Sequence, residues 1–262
     1  MPVVRDPARW VATGVGGQAR VADLADAEAL RAALEGAGRV VSCAHARFVP
    51  AVLAAAPAGA SFVFLGSTRK FTRWPDAHGN GVLAGEAAFL GSGRMGVMLH
   101  PTMIYGAQGE DNVQRLAALL RRLPVVPLPG GGRALVQPIF QGDVTRCLLA
   151  ALRVEWGGAG ALVIAGPQAM PYADFVRAVA EAAGLGVPRV VGVPVGVLRV
   201  GGWLVRWVPG LPRIGGDEIR RLMEDKGFDV GPMVRRLGVR PCGLSVGLQG
   251  VFRTGVEKAR LT

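Results

Sequence analysis

The sequence predicts an α/β protein, a doubly wound parallel sheet followed by a smaller C-terminal lobe. Short apolar runs alternate with amphipathic helical patterns, as is typical of parallel strands joined by crossover helices. Half of the 262 residues are hydrophobic and only 19% are charged, which indicates a sizeable core. Pro- and Gly-rich turns at residues 124–132 interrupt the pattern. We therefore expect a main domain at 1–122 and a smaller lobe at 123–262, with some later segments returning to the main sheet.

Each element is predicted from a local pattern. Strands are expected where apolar residues run together between turn residues, and helices where apolar residues recur every three or four positions. Asp26 and Asp111 precede two of these helices and are expected to cap them. The predicted strands cover residues 19–22, 39–44, 61–66, 95–99, 134–139 and 162–165. The predicted helices cover residues 26–34, 49–55, 82–90, 112–122, 143–152, 172–183 and 215–224.

Charge and cysteine content narrow the class of protein. A net charge of +11 suggests a nucleic-acid or membrane partner, but the arginines are spread along the chain without a block. No recognised nucleic-acid module accompanies them, so no nucleic-acid partner is predicted. Cys43, Cys147 and Cys242 have neither metal-ligand spacing nor a disulfide framework, which predicts no metal site and a reducing compartment. The opening residues lack the apolar core of a signal peptide, and we expect a cytoplasmic protein.

Two stretches resemble a known family. They are LHPTMIYGAQGEDNVQRLAALLRRLPVVPLPGGGRALVQPIFQGDVTRCLLAAL (99–152) and GGDEIRRLMEDKGFDVGPMVRRLGVRP (215–241). Both resemble extended and atypical short-chain dehydrogenase/reductases of the NAD-dependent epimerase/dehydratase group, and are most similar to relatives of a respiratory complex I accessory subunit. The resemblance implies a Rossmann-like nucleotide-binding domain, a substrate lobe, NADP or NAD as cofactor, and an unknown small-molecule substrate.

The front of the chain departs from the family pattern. Members of the family begin with a strand, a glycine-rich turn and a helix, whose amides receive the pyrophosphate of the dinucleotide. Here the opening PVVRDPARW resembles the end of the second strand. Residues 14–17 contain three glycines, but no strand precedes them and Asp23 follows too closely, so a surface turn is expected. The first strand and the glycine-rich turn are thus expected to be missing, either through a start assigned too far downstream or through loss.

The resemblance also assigns residues to the cofactor. One arginine matches the position that holds the 2′-phosphate in NADP-preferring relatives, and its guanidinium suits that task. The others match the pair that flanks the adenine, the small residues beneath the nicotinamide-side ribose, and the end of the sixth strand. The set comprises Arg5, Asp23, Leu24, Cys43, Ala44 and Pro101. Each has an alternative reading, as a solvated arginine, a helix-capping turn or tightly packed small residues.

The catalytic pattern is incomplete. Ser67 matches the catalytic serine of the family, and Glu86 matches the acid that follows its Tyr-x-x-x-Lys by four residues. This alignment puts His78 at the tyrosine position and Val82 at the lysine position. Valine carries no charge, so the usual hydride-transfer mechanism is not expected. Ser67 and His78 are the candidate catalytic residues, with His78 as a general acid. Lys70 is open between a role in the cleft and a solvated loop.

A second function remains open. Residues 197–207 place Trp203 and Trp207 four apart, with Arg199 and Arg206 nearby. A basic aromatic segment of this kind can lie on an anionic membrane or dock on a partner, and it can equally cover the sheet as a lid. The alternative to an oxidoreductase or epimerase is therefore a non-catalytic scaffold or assembly factor near a membrane or a respiratory complex. A truncated product without independent function and a homodimer are also open.

Overall fold

The computed structural model describes residues 1–107, 111–123, 125–194, 196–197, 220 and 222–259. Strands are β1 Val3–Val4, β2 Arg20–Val21, β3 Arg39–Ser42, β4 Ser61–Leu65, β5 Gly96–Pro101, β6 Ile104–Tyr105, β7 Val125–Pro129, β8 Leu135–Val136, β9 Ile139–Phe140, β10 Ala159–Ile164, β11 Met170–Pro171 and β12 Arg189–Val193. Helices are α1 Pro7–Ala12, α2 Ala27–Leu34, α3 Val49–Ala55, α4 Ala77–Leu90, α5 Asn112–Leu120, α6 Gln141–Ala151, α7 Tyr172–Ala182, α8 Gly231–Leu237 and α9 Leu244–Ala259.

The chain divides into two compact units. The first contains residues 1–70, 76–100 and 148–162, and the second contains 71–75, 101–147 and 163–262. Five residues of the loop after β4 thus belong to the second unit, although the chain on both sides belongs to the first.

The central sheet has the strand order β10-β5-β4-β3, with β3, β4 and β5 parallel. The predicted α/β class with a parallel sheet is confirmed. Strands β4 and β5 are apolar along nearly their whole length because a parallel sheet is covered on both faces. Gly96 has a φ of 139°, and a Cβ there would overlap the carbonyl oxygen of Phe62, so only glycine fits where β5 enters beside β4.

Strands β1 and β2 form a separate parallel pair in the first unit. Among the described strands, β3 pairs only with β4, so its other edge carries no strand. Val41 on this edge strand is exposed.

The core of the first unit is built from α2, α3 and α4 against the sheet. Phe62 and Phe64 stack with ring centroids 5.2 Å apart, and Phe89 of α4 meets Phe64 edge to face at 5.0 Å. The predicted Asp26 cap is confirmed, since its side chain accepts hydrogen bonds from the N–H groups of Glu28 and Ala29.

Helix α4 begins one turn before its predicted start at residue 82. Asp76 caps it by accepting the N–H of Gly79 at 2.7 Å. Sequence reasoning took Gly79 and Gly81 for helix breakers. In the structure, a Cβ on Gly81 would lie 2.7 Å from Cε1 of His45, so the glycine instead allows α4 to approach the turn after β3.

The second unit contains two parallel strand pairs, β6–β9 and β7–β12, and the antiparallel pair β8–β11. The prediction of turns throughout 124–132 is wrong, because Val125–Pro129 is a strand that pairs with Arg189–Val193. Its alternation, with Val126 and Leu128 buried, was hidden among prolines and glycines. Asp111 was expected to cap α5, but it makes no capping hydrogen bond and instead lies 3.7 Å from Arg115.

The predicted segment with Trp203 and Trp207, and most of the helix predicted over 215–224, lie outside the described residues. Within the described ranges, no helix is long and apolar enough to cross a membrane.

Candidate functional site

The candidate site lies at the carboxyl ends of the parallel strands. Cys43 directly follows β3, Ser67 lies two residues after β4, and His100 and Pro101 close β5. Open α/β folds bind ligands at this edge of the sheet. Cys43 is exposed, Ala44 is half-buried and Pro101 is buried.

Ser67 is fixed by its neighbours. Its N–H donates to Nδ1 of His100 at 3.2 Å, and its Oγ accepts the N–H of Arg69 at 3.1 Å. A Cβ on Gly66 would overlap the His100 imidazole, so glycine is needed at the position before the serine. The serine is half-buried, and its hydroxyl lies at the start of the turn Thr68–Phe71.

A buried ionic cluster lies next to this serine. Nζ of Lys70 is 2.6 Å from Oε1 and 2.5 Å from Oε2 of Glu86. Nε2 of His100 is 3.3 Å from both Lys70 Nζ and Glu86 Oε2. The side chains of Lys70, Glu86 and His100 are 10%, 13% and 1% exposed. Sequence reasoning had named Lys70 and Glu86 separately without joining them, because the three residues lie on a turn, a helix and a strand.

His100 is held as the neutral imidazole. Burial, followed by the neighbouring Lys70 ammonium, lowers its pKa from 6.5 to about 4. Because Nδ1 accepts the Ser67 N–H, the proton of the neutral ring lies on Nε2, from which it can donate to Glu86. The lysine and the glutamate therefore balance each other's charge, and the histidine orients them.

His78 has a different neighbour. Its Nδ1 lies 3.2 Å from Nε2 of His45, and the two rings meet edge to face. His45 accepts the N–H of Arg47 on Nδ1, so its proton lies on Nε2 and points to His78. Partial burial, then the charges of His45 and Arg69, lower the pKa of His78. The printed partner of His78 is thus His45, and Ser67 contacts a different histidine.

The position matched to the family's lysine lies in the core. Val82 is 1% exposed and packs in the apolar cluster of the first unit. Glu86, one helical turn later, is the residue of α4 that reaches Lys70. The cation near Ser67 thus comes from the turn after β4, while α4 contributes the carboxylate.

The residues matched to the adenosine side follow the β1–β2 pair. Arg5 is exposed directly after β1. Asp23 is exposed after β2, and its Oδ1 accepts the N–H of Ala25 at 2.9 Å, while Leu24 packs against the core. Gly14 and Gly17 lie in open space between α1 and β2, as expected of a surface turn.

The second unit contains another buried carboxylate. Asp143 pairs with Arg146 and accepts the N–H of Cys242 at 2.8 Å. Burial, with the Asp143 charge, raises the pKa of Cys147 to about 12 and that of Cys242 to about 11, so both thiols stay protonated. Within the described ranges, no group of three or more potential ligands could hold a metal ion.

No protein-family model matches the chain, and no similar sequence was found among curated proteins. Solved structures are similar in fold. The structure of gox2253 has a TM-score of 0.73 at 15% identity, covering 96% of this chain and 88% of that one. The NADPH-dependent quinone oxidoreductase QOR2 of Escherichia coli, complexed with NADPH, has a TM-score of 0.71 at 19% identity, covering 95% and 89%.

A third similar structure is UDP-glucuronic acid 4-epimerase of Bacillus cereus with UDP-glucuronic acid and NAD. Its TM-score is 0.69 at 14% identity, and the match covers 96% of this chain and 86% of that one. At these identities the similarity establishes a shared Rossmann-like α/β fold. The proteins that share it include reductases and sugar-nucleotide epimerases that use nicotinamide dinucleotides.

Proposed function

We propose that this chain binds a nicotinamide dinucleotide at the carboxyl edge of its sheet. It would be a short-chain dehydrogenase/reductase-like protein of the epimerase/dehydratase type, from a branch without the Tyr/Lys pair such as the complex I-related one. The observation that carries the proposal is Ser67, held at the end of β4 and joined through His100 to a buried ionic cluster. The fold is shared with proteins whose structures contain NADPH or NAD.

The residues present fit the two ends of a dinucleotide better than its middle. The exposed guanidinium of Arg5 suits a 2′-phosphate, which favours NADP(H), and Asp23 and Leu24 follow the neighbouring strand. Cys43, Ala44, Ser67 and Pro101 are the candidates for the nicotinamide side. A pyrophosphate needs backbone N–H groups at a glycine-rich turn, and Gly14 and Gly17 are far from any strand end of this kind.

We infer that the glycine-rich strand and turn of the family are missing from this sequence. The split between the β1–β2 pair and the central sheet supports this inference, because β3 is left with one edge that no described strand covers. Dinucleotide affinity is then expected to be micromolar, since the amides of the missing turn contribute nothing.

When bound, the dinucleotide would supply the hydride chemistry. Ser67 would then hydrogen-bond the reacting oxygen of a small-molecule substrate, and His78, with its proton on Nε2, is the candidate general acid. With Val82 in the core, no lysine on α4 assists them. Any oxidoreductase or epimerase activity is therefore expected to be slow.

The test is a fluorescence titration of the 262-residue chain with NADPH and NADH. We expect micromolar binding of both and tighter binding of NADPH. Arg5→Ala should weaken NADPH binding about tenfold and leave NADH binding unchanged, because only NADPH carries the 2′-phosphate. Arg9→Ala, which removes an exposed arginine of α1 that pairs with Asp6, is the charge-matched control. A folded chain that binds neither dinucleotide would refute the proposal.

The burial of Val82 also favours a second function, a non-catalytic scaffold near a membrane or a respiratory complex. Co-sedimentation of the chain with anionic liposomes, reduced on replacing Trp203 and Trp207 by alanine, would support it. Turnover of a carbonyl substrate by a protein that stays in the supernatant would exclude it.

A further inference from the structure

We propose that Lys70 is the ligand-contacting cation of the candidate site, supplied by the turn after β4, with Glu86 and His100 as its positioning residues. The ligand class is a nicotinamide dinucleotide, with an oxygen of the ribose on the nicotinamide side as the contact. The inference rests on the proposed function and adds a residue to the same site.

The first argument is convergence. Lys70 lies on the turn Thr68–Phe71, Glu86 on α4 and His100 on β5, and all three belong to the first unit. Two carboxylate contacts of 2.6 and 2.5 Å hold the ammonium in one place. The backbone N–H of Lys70 lies 3.4 Å from the carbonyl oxygen of Ser67, so the ammonium and the serine hydroxyl extend from the same turn.

The second argument is energetic. Lys70 and Glu86 are 10% and 13% exposed, and a pair this buried loses most of its hydration. Replacing such a pair with apolar side chains is often neutral or stabilising, so stability alone is a weak reason for the pair. Buried charges at the ligand-binding edge of an α/β sheet are typical of functional sites.

The third argument is the coupling to Ser67. The imidazole of His100 receives the Ser67 N–H on Nδ1 and lies 3.3 Å from Lys70 on its other nitrogen. One buried ring thus sets the positions of both the serine and the cation. Val82 occupies the core, so α4 offers no charge of its own one turn before Glu86.

The experiment is NADPH titration, followed by fluorescence, of four variants. Lys70→Met should weaken binding about tenfold or more, while Lys70→Arg should retain part of the affinity because it keeps the charge. Arg31→Met removes one exposed positive charge from α2 of the same unit and should bind as the wild type does.

A double variant separates ligand contact from a structural role. Lys70→Met leaves Glu86 buried without its partner, and this alone could disturb the fold. Lys70→Met/Glu86→Met removes both charges and should recover the thermal midpoint. If Lys70 contacts the ligand, the double variant still binds NADPH about tenfold more weakly than the wild type.

Recovery of both stability and NADPH affinity in the double variant would overturn the inference and leave a structural ion pair. Wild-type affinity in Lys70→Met would overturn it as well. Failure of the wild-type chain to bind NADPH is a separate result, which refutes the proposed function and with it the role of Lys70.

Discussion

At the residue scale, the most informative side chain is His100. It is 1% exposed, accepts the Ser67 N–H and lies beside the Lys70 ammonium. A second proton on this ring would point at a donor and stand next to a cation. The neutral state is therefore built into the fold, and this has a consequence for stability.

His100 should make the protein less stable in mild acid. Its pKa is 6.5 when unperturbed and about 4 in the folded state. Between these values the unfolded chain takes up a proton that the folded chain does not, so the unfolding free energy falls as pH falls from 6.5 to 4. The loss is expected to reach about 3 kcal/mol, and none of it is present above pH 6.5. Urea unfolding at a series of pH values measures it.

The matched variant is His100→Asn, whose side-chain oxygen can accept the Ser67 N–H and does not titrate. It should flatten the stability profile across this window relative to the wild type. An equal slope in both proteins would assign the acid sensitivity to other groups.

The sequence pointed to some of these residues and missed their arrangement. Ser67, Lys70 and Glu86 were visible as a serine after a strand, a loop lysine and a helix carboxylate. Their meeting at His100 was not, because it depends on the register of β4 against β5, which places Leu65 opposite Leu99 and Gly66 beneath the imidazole. Pairing of strands distant in sequence leaves no local signal.

At the scale of elements, α4 shows how glycines determine a packing distance. Gly81 and Gly85 lie four residues apart and so share a helix face, which approaches the turn Ala46–Phe48. A Cβ on Gly85 would overlap the carbonyl oxygen of Ala46. The same approach brings His45 against His78.

Gly85→Ala should therefore destabilise the protein, although alanine is the better helix former. Propensity alone would stabilise by about 1 kcal/mol. The overlap forces α4 away from the turn and is expected to cost about 1–3 kcal/mol more than that gain. Thermal or urea unfolding measures the difference.

Gly59→Ala is the control, since a Cβ there meets no atom within 4 Å and the backbone is not left-handed. It should be neutral or slightly stabilising. Equal effects of the two substitutions would show that the close approach of α4 is not rigid.

At the scale of the whole molecule, a contact within the second unit joins positions about 150 residues apart. Glu224 accepts the hydroxyl of Thr72 at 2.8 Å and the N–H of Arg73 at 2.6 Å. Arg220 lies over the Trp74 ring at 4.8 Å, and Phe71 packs against Phe228. The loop between Lys70 and Asp76 is thus ordered by residues near the end of the chain.

Glu224→Ala should release this loop. Hydrogen bonds to a carboxylate contribute about 1.5–3 kcal/mol, so cleavage by trypsin after Arg73 should accelerate about tenfold or more. Mass spectrometry of limited digests locates the cut. Glu181→Ala, at an exposed position of α7, should leave the digestion pattern unchanged. An unaltered cleavage rate in Glu224→Ala would show that other contacts order the loop.

The sequence by itself determined the α/β class, the parallel strands and most helix positions, because apolar periodicity and capping residues are local signals. It also indicated Ser67 and the absence of a lysine at Val82. Tertiary structure alone decided that Lys70, Glu86 and His100 form one cluster, that His78 pairs with His45, and that Val125–Pro129 is a strand. These features depend on contacts between segments far apart in the chain, whose energies come from burial and pairing that no local pattern encodes.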